Sequence, residues 1–326
     1  MNSAVRRIGV FTSGGDAPGM NAAVRSVVRT CVHSGIECVG IRRGYHGLIN
    51  GDVFPMNFDS VSGLLRRGGT ILYSARSEDF KAKLGQEKAY ATCKLLGLEA
   101  LVGIGGDGTF RGLQAMSRFG VPVMGIPGTI DNDIACTTYT IGFDTACHTA
   151  LDSIDKLSDT MQSHERCSVV EVMGRHAGHL ALYVGVACGA TCVLIPEREV
   201  DFERDVVEPI RRARLGGRTH FMVIVAEGVG SAYDVAAKIK EATSLDTRVT
   251  VLGHVQRGGA PTARDRVTAT NMGYQAVHLL AQGKKNRILA LRGEDYVDYD
   301  VEEALSMQKG LNEQTYEVMR ELTGVE

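Results

Sequence analysis

Three turns, each directly behind a short apolar run, constrain this chain more than anything else in it. Residues 103–109 read Gly103-Ile104-Gly105-Gly106-Asp107-Gly108-Thr109 and continue the run Leu101-Val102. Closely spaced glycines let backbone N–H groups approach a phosphate with no side chain in the way. Asp107 stands in the middle, where a Mg²⁺ carried by a nucleotide could be held, and Thr109 offers a hydroxyl that could cap a helix beginning about there. A second turn, Thr12-Ser13-Gly14-Gly15-Asp16-Ala17-Pro18-Gly19-Met20-Asn21, follows Ile8-Gly9-Val10-Phe11. A third, Pro127-Gly128-Thr129-Ile130-Asp131-Asn132-Asp133, follows Val121-Pro122-Val123-Met124-Gly125-Ile126. Any one of these also reads as a tight strand-to-helix connection. Together they ask for an open parallel sheet, in which ligands bind at the carboxyl ends of the strands and all three turns share that edge. Neither of the two glycine-rich turns ends in the lysine of a P-loop or carries a clean dinucleotide fingerprint.

The rest of the chain alternates in the same way. Leu101–Ile104 and Phe221–Ala226 are continuous apolar runs, the mark of strands covered on both faces, and Cys167–Met173 and Thr191–Pro196 read similarly. Behind Gly19, the positions Met20, Ala23, Val24, Val27, Val28 and Cys31 recur at helical spacing, which puts Arg25 and Arg29 one turn apart on a common face. Strands alternating with helices predict βαβ units and a mainly parallel sheet. With 326 residues the chain suits two domains, although no Pro-, Ser- or Gly-rich linker marks a boundary.

Composition removes several classes. A net charge of −2 gives no global basic field for nucleic acid, so anion binding must come from local arginine clusters. No apolar run approaches a membrane span, and Met1-Asn2-Ser3-Ala4-Val5-Arg6-Arg7 leads straight into a strand without a leader, so a cytoplasmic location is expected. The eight cysteines form no CxxC pair and read as buried thiols rather than disulfides or a zinc site.

The turns can support phosphoryl transfer, which needs a phosphate cradle, a metal, positive charge around the transferred group and a base for the attacking hydroxyl. Gly14, Gly15 and Gly106 to Thr109 supply the cradle and Asp107 a metal ligand. Asp131 and Asp133, two residues apart at a strand end, could each reach a substrate hydroxyl, or could each stabilise the turn as Asx side chains. Arginines gather around strands in the second half: Arg166 before Cys167, Arg175 after Met173-Gly174, Arg248 opening Val249–Leu252, and Arg257 in His254-Val255-Gln256-Arg257. Arginine suits bidentate phosphate recognition, so a second substrate carrying phosphate is expected. Glu227, between an apolar run and Gly228, could accept hydrogen bonds from sugar hydroxyls or be a loop carboxylate.

At this point the motifs resemble a known family. The runs Thr12 to Ala23, Gly105 to Thr109, Pro127 to Asp133, Val170-Glu171-Val172-Met173-Gly174-Arg175 and Leu252 to Gly259 are similar, in order and over essentially the whole chain, to those of the bacterial ATP-dependent 6-phosphofructokinase family. The resemblance implies two similar three-layer α/β domains with mainly parallel sheets and the active site in the interdomain cleft. It implies an ATP-binding domain over residues 1–141 plus 255–305 and a fructose 6-phosphate domain over 142–254 plus 306–326. Gly14, Arg76, Ser77 and Gly106, Asp107, Gly108 and Thr109 would contact ATP, with Asp107 near Mg²⁺. Asp131 would take the proton from the 1-hydroxyl of fructose 6-phosphate, and Thr129 and Asp133 would position the reacting groups, with Ile130 also at the sugar. Met173, Gly174, Arg175, Glu227, His254, Val255, Gln256 and Arg257 would hold the sugar phosphate, and Arg175 would also offset charge on the transferred phosphoryl group. Arg166 and Arg248 would reach in from a neighbouring subunit, because the family is usually a homotetramer.

The resemblance also speaks to donor and control. A pyrophosphate-dependent branch of the family typically carries Asp and Lys where Gly108 and Gly128 stand here, so both glycines favour ATP. At an effector site for ADP or phosphoenolpyruvate, Arg25 and Arg29 match, with Arg218 and His220 as further candidates. However, Asp52 and Ser158 stand where the pattern has Arg, Thr191 replaces Glu, and Gly216 replaces Lys. Lost cations weaken a phosphate site, so a weak or altered effector response is expected. The rival readings are a pyrophosphate-dependent enzyme, a lipid or dinucleotide kinase with a similar glycine turn, and a non-catalytic sugar-phosphate or nucleotide sensor. The retention of both Asp107 and Asp131 opposes the last.

Overall fold

The computed structural model describes residues 4–323; Met1-Asn2-Ser3 and the last three residues lie outside it. Among the described residues eleven strands form two sheets. They are β1 (Arg7–Thr12), β2 (Glu37–Ile41), β3 (Val53–Met56), β4 (Ala100–Gly105), β5 (Val123–Pro127), β6 (Cys167–Val172), β7 (Cys192–Leu194), β8 (Phe221–Ala226), β9 (Thr247–Val251), β10 (Arg287–Arg292) and β11 (Asp295–Asp300). The first sheet runs β11-β10-β5-β4-β1-β2-β3 and the second β7-β8-β6-β9. All pairs are parallel except β2–β3 and β10–β11 at the two edges of the first sheet. The expected α/β class with mainly parallel sheets is what the chain forms.

The chain groups into two compact units. One holds Met1–Thr129, Ile134–Thr145 and Arg257–Lys309; the other holds Ile130–Asp133, Ala146–Gln256 and Gly310–Glu326. The expected bounds differ from these by a few residues, and the short segment 130–133 groups with the second unit.

In the first unit the central strands β4 and β5 are buried along their whole length, which is why β4 reads as an unbroken apolar run. In its core Tyr45 meets Phe11 edge-to-face, with ring centroids 4.9 Å apart, and stacks on Phe80 at 4.0 Å. The helix Met20–His33 is buried over most of its surface and lies against the helix Ala263–Ala281. That close approach needs Gly273, where a Cβ would stand 2.7 Å from Ser26 Cβ and 2.8 Å from the Ala23 carbonyl. Asp265, fully buried on the second of these helices, accepts hydrogen bonds from the backbone of Gly142 (2.7 Å) and Thr145 (3.0 Å) and from the Tyr139 hydroxyl, fixing residues 139–145.

In the second unit, Cys167, Val169, Phe221, Val223 and Val225 of β6 and β8 pack with Cys192 and Leu194 of β7 into one core. β7 is shorter than the run Thr191–Pro196 suggests, since a proline cannot extend a ladder. β9 begins at Thr247, so Arg248 lies inside the strand rather than opening it. As an edge strand it is half exposed, and its first residues are polar enough to escape an apolar pattern.

Candidate active site

The three turns meet on one edge of the first sheet. Registers Thr12↔Ile104 and Gly105↔Pro127 bring the carboxyl ends of β1, β4 and β5 level. Backbone bonds then stitch the turns together: Ser13 N–H to the Ile104 carbonyl at 3.0 Å and Gly128 N–H to the Gly105 carbonyl at 3.0 Å. The Thr109 hydroxyl donates to the Ser13 carbonyl at 3.1 Å, and the buried Tyr45 hydroxyl donates to the Thr109 carbonyl at 2.6 Å. Gly105 is required here, because a Cβ would sit 2.3 Å from Thr109 Oγ1 and 2.4 Å from the Ser13 carbonyl oxygen. This corrects the capping role expected of Thr109. The helix Asp107–Arg118 starts two residues earlier, with Gly106 at its cap position and no side-chain cap. Thr109 is 2% exposed, and its hydroxyl ties two turns together instead.

An uncapped helix start of this kind presents first-turn amides and the positive end of the helix dipole to an anion. Gly14, with φ +87°, and Gly15 are exposed beside it. Ser74 Oγ donates to the Gly14 carbonyl, and Thr12 Oγ1 donates to the Tyr73 carbonyl at 2.8 Å, which brings the segment carrying Arg76 and Ser77 to the same turn. Ser77 caps the short helix Glu78–Lys81 by accepting from Phe80 N–H at 3.3 Å, and Arg76 is exposed. Arg257 ends the 3₁₀ segment Gly253–Arg257 and donates from Nη1 to the Asp16 carbonyl at 3.1 Å. Its guanidinium fills the space over Gly15, where a Cβ would stand 2.6 Å from Nη1.

Asp107 occupies the first helical position with its side chain exposed, and the space over Gly108 is open: a Cβ there meets nothing within 4 Å. Among the described residues no cluster of three His, Cys, Asp or Glu could hold a metal by itself. One exposed carboxylate beside an open cradle fits Mg²⁺ held mostly by nucleotide phosphates, as that ion is commonly bound. Gly128 differs from Gly108. A Cβ there would stand 3.2 Å from Ile104 Cγ2 and 3.4 Å from Met20 Cε, so a long side chain has no ready room.

Beyond Gly128 the chain enters the segment that carries the paired carboxylates. Thr129 is 9% exposed and its carbonyl accepts from Thr140 Oγ1 at 2.6 Å. Asp131 is buried, Asn132 takes a left-handed φ of 50°, and Asp133 is half-buried. The two carboxylates, equivalent on spacing alone, therefore differ in environment.

In the second unit, the ends of the adjacent parallel strands β6 and β8 bring Met173-Gly174-Arg175 beside Glu227. Glu227 Oε1 accepts from the backbone N–H of Gly174 at 3.2 Å and of Arg175 at 2.6 Å. This holds Arg175 at φ 58°, a conformation arginine adopts only at a cost in energy. Gly228 lets the two loops touch, since a Cβ there would meet the Arg175 carbonyl oxygen at 2.5 Å. Gln256 is fully buried, with Oε1 accepting from Met173 N–H at 3.3 Å and Nε2 donating to the Gly253 carbonyl at 3.1 Å. His254 and Val255 are exposed next to it.

Arg166 and Arg248 share one partner that sequence reasoning missed, Asp246, at 2.6 Å and 3.2 Å. Asn21 was missed too: its side chain bonds the carbonyls of Arg67 and Gly68 and the N–H of Ile71, and its only signal was an amide on an apolar helix face. Of the effector candidates, Arg25 and Arg29 are half-buried on the helix Met20–His33. Burial and the neighbouring Arg29 charge lower the Arg25 pKa, and the Arg29 guanidinium lies 3.8 Å over the Phe58 ring. Asp52 pairs with Arg42 and Arg43. Arg218 is exposed, His220 is half-buried, and Thr191 is 2% exposed, its hydroxyl accepting from Met222 N–H at 3.2 Å.

Parallel sheets with glycine turns level at one carboxyl edge, an uncapped helix start and an exposed metal-competent carboxylate define an α/β protein built to hold phosphate groups. The phosphofructokinase signature matches residues 7–280, and the chain belongs to the phosphofructokinase family. It is 51% identical over 314 residues to a Clostridium botulinum (strain Loch Maree / Type A3) protein named ATP-dependent 6-phosphofructokinase, covering 96% of this chain and 98% of that one. A Clostridium tetani protein of the same name is 51% identical over 319 residues, covering 98% and 100%. Among solved structures, a phosphofructokinase from Saccharomyces cerevisiae superposes with a TM-score of 0.86 at 34% identity. That match covers 98% of this chain but 47% of the yeast chain, so this chain spans about half its length. A pyrophosphate-dependent phosphofructokinase from Marinobacter aquaeolei shares the fold, with a TM-score of 0.83 at 20% identity.

Proposed function

We propose that this chain transfers the terminal phosphoryl group of ATP to the 1-hydroxyl of D-fructose 6-phosphate, giving fructose 1,6-bisphosphate and ADP. The observation that carries this reading is the set of glycine turns stitched level at the ends of β1, β4 and β5, with open space over Gly108 beside the exposed Asp107. Near-full-length identity to proteins named ATP-dependent 6-phosphofructokinase supplies the substrate.

The first unit holds the nucleotide. Gly14 and the first-turn amides at Gly106 to Thr109 receive its phosphates, and Arg76 and Ser77 lie beside them. Asp107 would hold Mg²⁺ together with nucleotide phosphate oxygens, and the ion would supply positive charge against the phosphates. In the second unit Met173, Gly174, Arg175, Glu227 and His254 hold the sugar phosphate. Asp131 takes the proton of the 1-hydroxyl as its oxygen bonds to the γ-phosphorus and the bond to the β–γ bridging oxygen breaks. Thr129 and Asp133 orient the reacting groups, and Arg175 offsets the negative charge that spreads over the transferred phosphoryl. Arg166 and Arg248 serve the sugar phosphate of a neighbouring copy in a homotetramer. The location consistent with this role is the cytoplasm; among the described residues no helix is long and apolar enough to cross a membrane.

The test follows fructose 1,6-bisphosphate formation with ATP or pyrophosphate supplied in parallel with Mg²⁺. Activity is expected with ATP alone. Asp131→Ala should lower kcat by about 10²–10⁴-fold, the usual contribution of a positioned base, with the circular dichroism spectrum unchanged. Use of pyrophosphate would overturn the donor assignment, and inactivity with both would overturn the reading itself.

A further inference from the structure

Arg166 and Arg248 are rooted side by side in the second sheet. Arg166 immediately precedes β6, Arg248 is the second residue of β9, and these strands run parallel with Cys167 opposite Thr247. Asp246 sits between the two side chains. Its Oδ2 accepts from Arg166 Nε at 2.6 Å, and its Oδ1 lies 3.2 Å from Arg248 Nη1. The roots are fixed as well: Cys167 N–H donates to the Asp246 carbonyl at 3.0 Å and Phe221 N–H to the Arg166 carbonyl at 3.1 Å.

Stability is a poor account of this arrangement. The side chains of Arg166, Asp246 and Arg248 remain 31%, 46% and 61% exposed, and ion pairs that open to water contribute little. Recognition is a better one. Two guanidinium groups brought together repel, and a carboxylate with one oxygen for each holds them at a shared spacing. Arg166 commits one N–H to the carboxylate and Arg248 faces it as an ion pair, so both guanidinium groups keep most of their five donors for a ligand. A phosphate dianion asks for such a receptor, with two planar cationic forks already close to their bound positions.

We propose that Asp246 is a positioning residue, which preorganises Arg166 and Arg248 as a two-arginine receptor for a sugar-phosphate dianion. The inference rests on the proposed reading of those arginines as substrate groups. Asp246 acts by removing side-chain freedom before the ligand arrives, so that less is lost on binding. Removing its negative charge would by itself strengthen attraction to phosphate. In this open site salt and water screen that charge, and the loss of ordering outweighs it.

The experiment is steady-state kinetics on the full chain with fructose 6-phosphate varied at saturating Mg-ATP. Asp246→Ala is expected to raise KM for the sugar phosphate about five- to thirtyfold, with kcat and KM for ATP within about twofold of the parent. Asp246→Glu should restore most of the affinity, which a general structural role would not predict. Asp246→Asn, which keeps the shape of the side chain, serves as the second variant and should fall between the two. An unchanged or lowered sugar-phosphate KM in both Asp246→Ala and Asp246→Asn overturns the proposal. So does a change in light-scattering mass, which would make Asp246 an assembly residue. Arg166→Ala and Arg248→Ala run alongside: if neither raises that KM, the reading of the arginines fails, whereas if they do and the Asp246 variants do not, only the positioning role fails.

Discussion

Glu227 spends one carboxylate oxygen on two backbone amides, and those amides belong to the loop that presents Arg175. A non-glycine residue in the left-handed region costs roughly 1–2 kcal/mol, so Arg175 at φ 58° stays there only while its surroundings insist. Glu227→Ala is therefore expected to lower kcat/KM for fructose 6-phosphate by about tenfold or more, the loss of at least one charge-assisted hydrogen bond. Glu227→Gln, which still offers a carbonyl oxygen to both amides, should lose clearly less; equal losses would mean that charge rather than loop geometry matters. Gly108 gives a second test. Its missing side chain leaves open space on the cradle, so Gly108→Asp should raise KM for ATP by repelling phosphate while leaving the melting temperature nearly unchanged. A normal KM for ATP in that variant would show that the nucleotide does not pass over residue 108.

Among the elements, the hairpin β10–β11 closes one edge of the first sheet with an antiparallel pair, and its stability has a legible pH dependence. Asp298 on β11 meets Arg287 and Lys284 at 2.5 Å and 3.0 Å. Burial raises the Asp298 pKa, but the hydrogen bonds and charges of Arg287 and Lys284 outweigh it and hold the carboxyl below its ordinary value. A depressed acid contributes stability above the unfolded-state pKa, about 3.9, and loses it as pH falls through the folded value. Asp298→Asn should thus lower the melting temperature at pH 7, and its difference from the parent should shrink as pH is taken below about 4. A difference that does not change with pH would assign the effect to packing. The helix pair Met20–His33 and Ala263–Ala281 gives a packing counterpart: Gly273→Ala forces Ser26 and the Ala23 carbonyl aside and should cost about 1–3 kcal/mol by chemical denaturation.

The effector response belongs to the molecule as a whole rather than to any single residue. Asp52 pairs with Arg42 and Arg43, which engages those two cations within the fold, and Arg29 faces the Phe58 ring. A weak response of the sugar-phosphate saturation curve to ADP and phosphoenolpyruvate is expected, and strong sigmoidality relieved by ADP would contradict it. Light scattering should give a mass four times 35.1 kDa if substrate sites are shared between copies.

Much of this protein was legible in its sequence. The central strands, the positions of the glycine turns and the helix behind Gly19 follow from local chemistry, since apolar runs and the backbone freedom of glycine act over a few residues. The family could be read there too, because its motifs are contiguous. Only the tertiary structure decided the rest. It turned Thr109 from a cap into a tie to Ser13, 96 residues away. It buried Asp131 and left Asp133 half-open, laid Arg257 over Gly15, and gave Arg166 and Arg248 one shared carboxylate. Such pairings depend on strand register and on which loops come level at a sheet edge, and these are set by packing between segments far apart in the chain rather than by any stretch of residues taken alone.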